Sequence, residues 1–338
     1  MKLIIQIPCL NESRTLPDTV AALPRQIPGV DQIETLVIDD GSTDDTSAVA
    51  RQAGVDHILR FPRNRGLAKA YMGGIDACLR LGADIIVNTD ADNQYCADDI
   101  PALIAPILQG TADLVVGDRQ VETVDEFSTT KKKLQRIGSW VVRLASSTRV
   151  PDATSGFRAI SREAALRMFV TSDFTYTLET LIQAGKAHLA VDAVPVRTNV
   201  KTRESRLFSS LPQYLRRSTS TIIRIYTMYR PLQAFLLLAS LLFAGGTALG
   251  VRFLYYHFAS GGQQAGHIQS LILAAVLLIV GFVVLLGGLL ADLVGANRKL
   301  LEDVIIRLRR LEYDKPSTAP DGLHQAPDGT APLNDDTQ

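Results

Sequence analysis

The sequence predicts an α/β domain built on a mostly parallel sheet, followed by amphipathic helices at a membrane surface and two C-terminal transmembrane helices. Three observations lead there. Short apolar runs alternate with helix-period segments through the first part of the chain, the pattern of strands joined by crossover helices. Residues 232–251 and 268–291 carry no charge, and each stretch meets the roughly 20 residues that a bilayer crossing requires. The polar residues of the first part cluster directly after the apolar runs, where such sheets hold their ligands.

The expected strands are residues 3–7, 35–38, 57–59, 85–88 and 114–116, and the expected helices are 16–23, 44–53, 67–81 and 98–108. After the first strand comes Pro8-Cys9-Leu10-Asn11-Glu12, and after the second Asp39-Asp40-Gly41-Ser42-Thr43-Asp44. Two strand ends thus present carboxylates to one crevice. Ser42 or Thr43 can cap the following helix and Asp44 suits its first turn, but capping does not require two adjacent aspartates before the glycine. A carboxylate there accepts hydrogen bonds from a ribose or a base. The first strand is not followed by Gly-x-Gly-x-x-Gly, which argues against a nicotinamide or flavin cofactor.

Asn64-Arg65-Gly66 opens the third helix and either offers backbone donors and a cation to an anion or is a plain helix start. The fourth strand ends in Asp90-Ala91-Asp92-Asn93-Gln94. Two aspartates one residue apart, with Gln94 near, make an oxygen-rich site for Mg²⁺ or Mn²⁺. Such an ion offsets the charge that develops on a leaving nucleoside diphosphate. Asp-x-Asp alone is a common accident; at the fourth strand end, after carboxylates at two earlier ends, it is specific.

Beyond the sheet, residues 208–229 mix aliphatic and aromatic side chains with arginines, as a helix lying in the membrane interface does. Residues 256–267, between the spans, contain no Lys or Arg. Arg206, Arg216, Arg217, Arg224 and Arg230 precede the first span, and Arg298, Lys299, Arg307, Arg309 and Arg310 follow the second. That bias places both ends, and the catalytic part, in the cytoplasm; Arg252 is the exception and snorkels to the far interface. The pattern Leu300, Leu301, Val304, Ile305, Leu308 and Leu311 is helical and suits self-association or the membrane surface. Residues 315–338 cannot build a core and are expected to be disordered. The divisions are therefore a catalytic domain over 1–207, interfacial helices over 208–230, transmembrane helices over 231–256 and 268–291, a cytoplasmic helix over 292–314 and the tail.

Composition agrees. The 338 residues, 46% hydrophobic, suffice for one α/β domain of about 200 residues and further elements. Lys plus Arg and Asp plus Glu both number 35, so net charge gives no reason to expect nucleic acid. Cys9, Cys78 and Cys96 are odd in number, lack the spacing of a zinc site or disulfide framework, and fit a reducing compartment. The run opening at Met1 meets Pro8 before reaching the length of a signal-peptide core.

Taken together, Pro8 to Glu12, Asp39-Asp40-Gly41-Ser42, Asn64-Arg65-Gly66 and Asp90-Ala91-Asp92 resemble, in order and spacing, the family 2 glycosyltransferases with the GT-A nucleotide-sugar-binding fold. The resemblance covers roughly residues 1–230. Gly117-Asp118-Arg119, Asp152-Ala153-Thr154-Ser155-Gly156-Phe157-Arg158 and Arg203-Glu204-Ser205-Arg206-Leu207 are similar to the subgroup that makes polyprenyl-phosphate sugars, the dolichyl-phosphate mannose synthase type. Thr-Ser-Gly-Phe-Arg is its more specific mark. The resemblance implies a GDP- or UDP-sugar donor, with Pro8, Glu12 and Asp39, and beside them Asn11 and Asp40, on the nucleoside side. It implies that Asp92 and Gln94 hold the Mg²⁺ or Mn²⁺ with Asp90 at the donor. Arg119, Arg136, Ser139, Arg203 and Ser205 would surround the phosphate of a dolichyl or undecaprenyl acceptor. Relatives often place glycine before the serine and lysine after it where this chain has Arg-Glu-Ser-Arg.

A lipid phosphate is already anionic and attacks an anomeric carbon without a base. Positioning and charge stabilisation then carry the rate, with Asp92 and Arg119 as the central residues. Arg136 lies in the basic run 131–136, which precedes Ile137, Trp140, Val141 and Leu144 in a basic amphipathic pattern suited to a membrane. Glu179 is expected to orient an arginine or the acceptor. Three other readings compete. A processive polysaccharide synthase needs Gln-x-x-Arg-Trp and a wider channel, which the sequence lacks. A silent nucleotide-sugar-binding adaptor has no need of Asp90, Asp92 and Arg119 together. Transfer to a hydroxyl lipid would require a base, with Asp152 or Glu179 in that role.

Overall fold

The computed structural model describes residues 1–120, 150–170, 176–199, 231–259, 268–313 and 323–325. Eight strands form one sheet: β1 (Lys2–Cys9), β2 (Gln32–Asp39), β3 (His57–Arg60), β4 (Ile85–Asn88), β5 (Leu114–Asp118), β6 (Arg158–Ser161), β7 (Val191–Pro195) and β8 (Leu323–Gln325). Their order across the sheet is β7-β5-β6-β4-β1-β2-β3-β8. In β1, Leu3, Ile4, Ile5 and Ile7 are all fully buried, as an apolar strand covered on both faces must be.

Strand β1 pairs in parallel with both β2 and β4, and β2 with β3. The register Cys9↔Asp39, Asp39↔Arg60 and Gln6↔Asn88 brings the carboxyl ends of four strands to one edge. That edge is the one the polar motifs follow. Helices α1 (Leu16–Ala21), α2 (Thr46–Gln52), α3 (Leu67–Arg80) and α4 (Ile100–Leu108) fall on the expected segments, α4 behind a single 3₁₀ turn at Ala97–Asp99. Two further helices, α5 (Arg162–Arg167) and α6 (Thr177–Lys186), lie beyond the alternating pattern.

The sheet departs from simple alternation at β6, which enters antiparallel between β4 and β5. Strand β5 is therefore separated from β4 in the sheet and pairs in parallel with β7 on its other side. Arg-Ala-Ile-Ser is too short to show a period in sequence, and its Ala159 and Ile160 are buried only because two strands flank it.

The chain divides into two units, Met1–Ser209 with Ile306–Gln338, and Ser210–Ile305. Within the first unit, the residues from Ile306 pack on α3 and α5. Arg309 donates to the carbonyl oxygens of Leu166 and Met168 at 3.2 and 2.8 Å, Arg310 pairs with Glu163 at 2.6 Å, and Arg80 pairs with Glu312. The charged residues of this stretch are thus engaged within the first unit, whereas Leu308 and Leu311 of the apolar pattern read for self-association or the membrane stay exposed. The tail expected to be disordered contributes β8, antiparallel to β3. The open edge of β3 presents unpaired backbone groups, and a three-residue strand suffices to satisfy them.

In the second unit lie α7 (Pro231–Ala259) and α8 as far as Ile305, α8 being one helix over Ile268–Tyr313 where a span and a separate cytoplasmic helix were expected. Both helices are long and apolar enough to cross a bilayer, and they are the two C-terminal candidate membrane-spanning helices. Glycines set their approach: a Cβ on Gly288 would sit 2.6 Å from Phe235 Cβ, and one on Gly246 would sit 3.0 Å from Leu278. Small residues at the contact are how helices pack closely in lipid. The interfacial segment expected at 208–230 lies outside the described residues.

Candidate active site

The loops after β1 and β2 hold each other. The Asn11 N–H donates to Ser42 Oγ at 2.9 Å, and Asn11 Oδ1 accepts from the Thr43 N–H at 2.8 Å, with Asn11 in the left-handed region at φ 56°. Pro8 stands opposite Ile38 at the end of β1. Glu12 is buried; its N–H donates to Thr46 Oγ1 and its Oε2 accepts from Thr15 Oγ1, both at 2.9 Å. Neither Ser42 nor Thr43 is the N-cap of α2, which is Asp45; Asp44 Oδ1, one position earlier, accepts from the Thr46 N–H at 3.1 Å.

The adjacent aspartates differ. Asp39 is fully buried, accepts from the Ser42 N–H at 2.7 Å and the Ser47 hydroxyl, and has the Arg60 guanidinium 3.5 Å away. Asp40 accepts from the Arg65 and Gly66 N–H groups at 2.7 and 2.9 Å. The backbone donors of Asn64-Arg65-Gly66 therefore meet an anion that is internal, the Asp40 carboxylate at the start of α3. Burial pushes the Asp40 carboxyl up, and the two N–H bonds offset that only in part. Gly41, at φ 74°, passes so close to the loop that a Cβ would fall 2.4 Å from the Arg63 carbonyl carbon.

Asp90, Asp92 and Gln94 follow β4 and are all partly exposed. The Gln94 N–H donates to Asp92 Oδ1 at 3.2 Å across Asn93, which is left-handed at φ 52°. Thr19 Oγ1 donates to the Ala91 carbonyl at 3.0 Å and fixes the turn between the two aspartates. Among the described residues no three His, Cys, Asp or Glu side chains converge. Two carboxylates and a carboxamide fit Mg²⁺ or Mn²⁺, which keeps waters and shares ligands with substrate phosphates instead of filling a protein cage.

Directly after β5, Arg119 grips Asp152 with two bonds, Nε to Oδ2 at 2.7 Å and Nη2 to Oδ1 at 3.1 Å, and Nη2 also donates to Thr154 Oγ1 at 3.0 Å. Burial pushes the Asp152 carboxyl up, but Arg119's bonds and charge, with Thr154, outweigh it and hold the carboxyl below the ordinary range. Arg136, Ser139, Arg203 and Ser205 lie outside the described residues. Glu179 is buried on α6, where Gln183 Nε2 approaches it at 3.5 Å.

Gly156 of Thr-Ser-Gly-Phe-Arg brings its loop onto Asp90: a Cβ there would lie 3.1 and 3.2 Å from the Asp90 carboxylate oxygens. Several residues that build this contact carried no sequence signal. Asn88 reads only as the end of a strand, and nothing in the sequence singles out Tyr95 or Tyr176. Arg158 was visible only as a member of a motif, and Asp152 as a motif member and as the base of the hydroxyl-lipid reading.

The family model for glycosyl transferase family 2 matches residues 4–169. Polyprenol monophosphomannose synthase of Mycolicibacterium smegmatis is 31% identical over 167 residues, covering 47% of this chain and 62% of that protein, so the chain spans less than two thirds of it. UDP-N-acetylglucosamine–dolichyl-phosphate N-acetylglucosaminyltransferase of Methanococcus voltae is 29% identical, covering 57% and 83%. Glucosyl-3-phosphoglycerate synthase of Mycobacterium tuberculosis, solved with Mn²⁺, UDP and phosphoglyceric acid, has a TM-score of 0.52 at 20% identity, covering 67% of this chain and 77% of that one. That likeness establishes the GT-A-like fold.

Proposed function

Because the chain belongs to glycosyl transferase family 2 and is a glycosyltransferase, we propose that it transfers a sugar from a nucleotide-sugar to a polyprenyl phosphate at the cytoplasmic membrane face, with inversion. The observation that carries this reading is the Arg119–Asp152 pair, held by the loop whose Gly156 lies against Asp90. A guanidinium oriented by two bonds and partly exposed is suited to an anionic acceptor. Its partner Asp152, held ionised at low proton affinity, is a poor general base. A phosphate acceptor needs no base, whereas a hydroxyl acceptor does, and Glu179, the other carboxylate considered for that role, is only 1% exposed.

The names of the two relatives, each a polyprenyl- or dolichyl-phosphate transferase, support the same acceptor class. On the donor side Asp39, its carboxylate held by Ser42 and Ser47, would stand at the nucleoside, with Pro8, Asn11, Glu12 and Asp40 in the loops around it. Asp90, Asp92 and Gln94 would hold the divalent ion, which when bound supplies positive charge at the diphosphate. Arg119, with Arg136, Ser139, Arg203 and Ser205, would hold the acceptor phosphate for attack on the anomeric carbon. That single displacement gives a β-linked product from an α-linked donor.

The test is transfer of radiolabelled sugar from a panel of nucleotide-sugars to short polyprenyl phosphate, with Mg²⁺ or Mn²⁺ and then with chelator. A metal-dependent, acid-labile, β-linked lipid product is expected. An acid-stable product would favour a hydroxyl lipid, and nucleotide binding without any product would favour an adaptor.

A further inference from the structure

We propose that Asn88 is a positioning residue that sets the register between the donor carboxylates and the acceptor loop; this rests on the function proposed above. Asn88 is fully buried at the end of β4, two residues before Asp90. Its Nδ2 donates to the Gly156 carbonyl at 2.8 Å and lies 3.0 Å from Tyr176 Oη. The Gly156 N–H donates to Tyr95 Oη at 3.0 Å. Both backbone polar groups of Gly156 are thereby clamped, while its Cα faces the Asp90 carboxylate. Gly156 follows the Asp152-to-Thr154 turn that orients Arg119. One carboxamide thus ties the strand carrying Asp90 to the loop that fixes Arg119.

The orientation of that carboxamide is forced. A carbonyl oxygen only accepts, so the Asn88 atom facing Gly156 is the nitrogen. Asn88 Oδ1 then faces Gln6 on β1 and accepts from Gln6 Nε2 at 3.0 Å. Gln6 Oε1 is left buried and accepts no hydrogen bond among the described residues. It occupies the space that Gly74 leaves open, where a Cβ would fall 2.3 Å away. A buried acceptor without a donor is costly, and this one is the consequence of turning Asn88 toward the loop. A purely apolar core at Gln6 and Asn88 would avoid it, but would leave the Gly156 carbonyl without this donor. Asn88, Tyr95 and Tyr176 are all buried, so they act on substrate geometry through Gly156 and Asp90.

The experiment compares full-length wild type with Asn88→Asp, which keeps the shape and sets a carboxylate oxygen against the Gly156 carbonyl. Polyprenyl-phosphate turnover is measured together with calorimetric affinity for nucleoside diphosphate and Mn²⁺, well below each protein's Tm. The expected result is a kcat lower by about tenfold or more, since displacement of reacting groups by about 1 Å costs up to about a hundredfold. Nucleotide affinity and nucleotide-sugar KM should stay close to wild type. Tyr95→Phe removes one hydroxyl while the ring keeps its stacking on Phe157 at 5.0 Å between centroids, and should lower kcat in the same selective way. It decides the matter if Asn88→Asp does not fold. Unchanged kcat in the folded variant, or loss of nucleotide affinity in parallel with kcat, overturns the inference. Wild type inactive on polyprenyl phosphate overturns the functional reading and this inference with it, whereas an active wild type matched by Asn88→Asp overturns this inference alone.

Discussion

Asp152→Asn isolates the pair on which the acceptor side is built. The Asp152 side chain is 3% exposed and that of Arg119 19%, joined at 2.7 Å. An asparagine can keep one oxygen toward Arg119 Nη2 and the Thr154 donors, which now reach Asp152 Oδ1 at 3.2 and 2.9 Å. Its nitrogen then faces Arg119 Nε, two donors with nothing between them. Removing one partner of a buried pair costs roughly 3–5 kcal/mol, and the residual exposure of Arg119 puts this case near 3. For a unit of about 200 residues that lowers Tm by roughly 6–12 °C, read by circular dichroism on the detergent-solubilised full chain at pH 7. The pH dependence supplies a second, signed check. The folded Asp152 carboxyl lies below its ordinary value, so its contribution is fully present above the unfolded pKa of about 3.9 and is lost as pH falls through the lower folded value. The gap between wild type and variant should be full at neutral pH, begin to narrow below about pH 4 and close only once the pH lies under the lower folded value. A Tm within about 2 °C of wild type at pH 7, against the several degrees expected from such a pair, or a gap that persists in acid, would refute the reasoning.

Other outcomes follow from the same geometry. Asp92→Asn should abolish transfer while leaving expression and membrane insertion intact, measured by lipid-linked product against membrane-fraction protein; measurable wild-type-like turnover counts against its role. Gly156→Ala places a methyl 3.0 Å from Tyr176 Oη and 3.1 to 3.2 Å from the Asp90 oxygens, so Asp90 must shift. It should lower kcat by about tenfold or more and stability by roughly 1–3 kcal/mol, and an alanine variant with full kcat would show that the contact is dispensable.

The strands of the parallel half were legible because each is a short apolar run ending in polar residues. What sequence does not distinguish is which polar residue serves a ligand and which serves the fold. Asp39 and Asp40 are chemically identical neighbours, yet the fully buried Asp39 lies at the last register position of β2, while Asp40 closes the start of α3 through Arg65 and Gly66. Only the path of the loop after β3 decides this, and that path depends on contacts 25 residues apart in sequence. Strand β6 was hidden for a related reason: four residues show no period, and their burial follows from flanking strands. The Arg119–Asp152 pair joins residues 33 apart, with neither motif naming the other as partner.

The Thr154-Ser155-Gly156-Phe157-Arg158 run shows how a motif divides its labour. Arg158 is fully buried, and its guanidinium donates to the carbonyls of Ala153, Ser155 and Thr177 at 2.8 Å and to Thr180 Oγ1 at 2.6 Å. Burial lowers its proton affinity, and among the described residues every group that accepts from it is neutral. A buried cation without an anion is unfavourable as a source of stability, so its stabilising effect must lie in what it satisfies. It supplies donors to the Ala153 and Ser155 carbonyls in the turn and to the Thr177 carbonyl at the helix start, and a planar guanidinium reaches all of them from one point where a lysine ammonium cannot. Arg158 thereby joins the acceptor turn to α6, Phe157 packs it into the core, Gly156 lets it approach Asp90, and Thr154 holds Arg119. One residue of the five orients the group proposed to touch substrate, and the others set where that group stands.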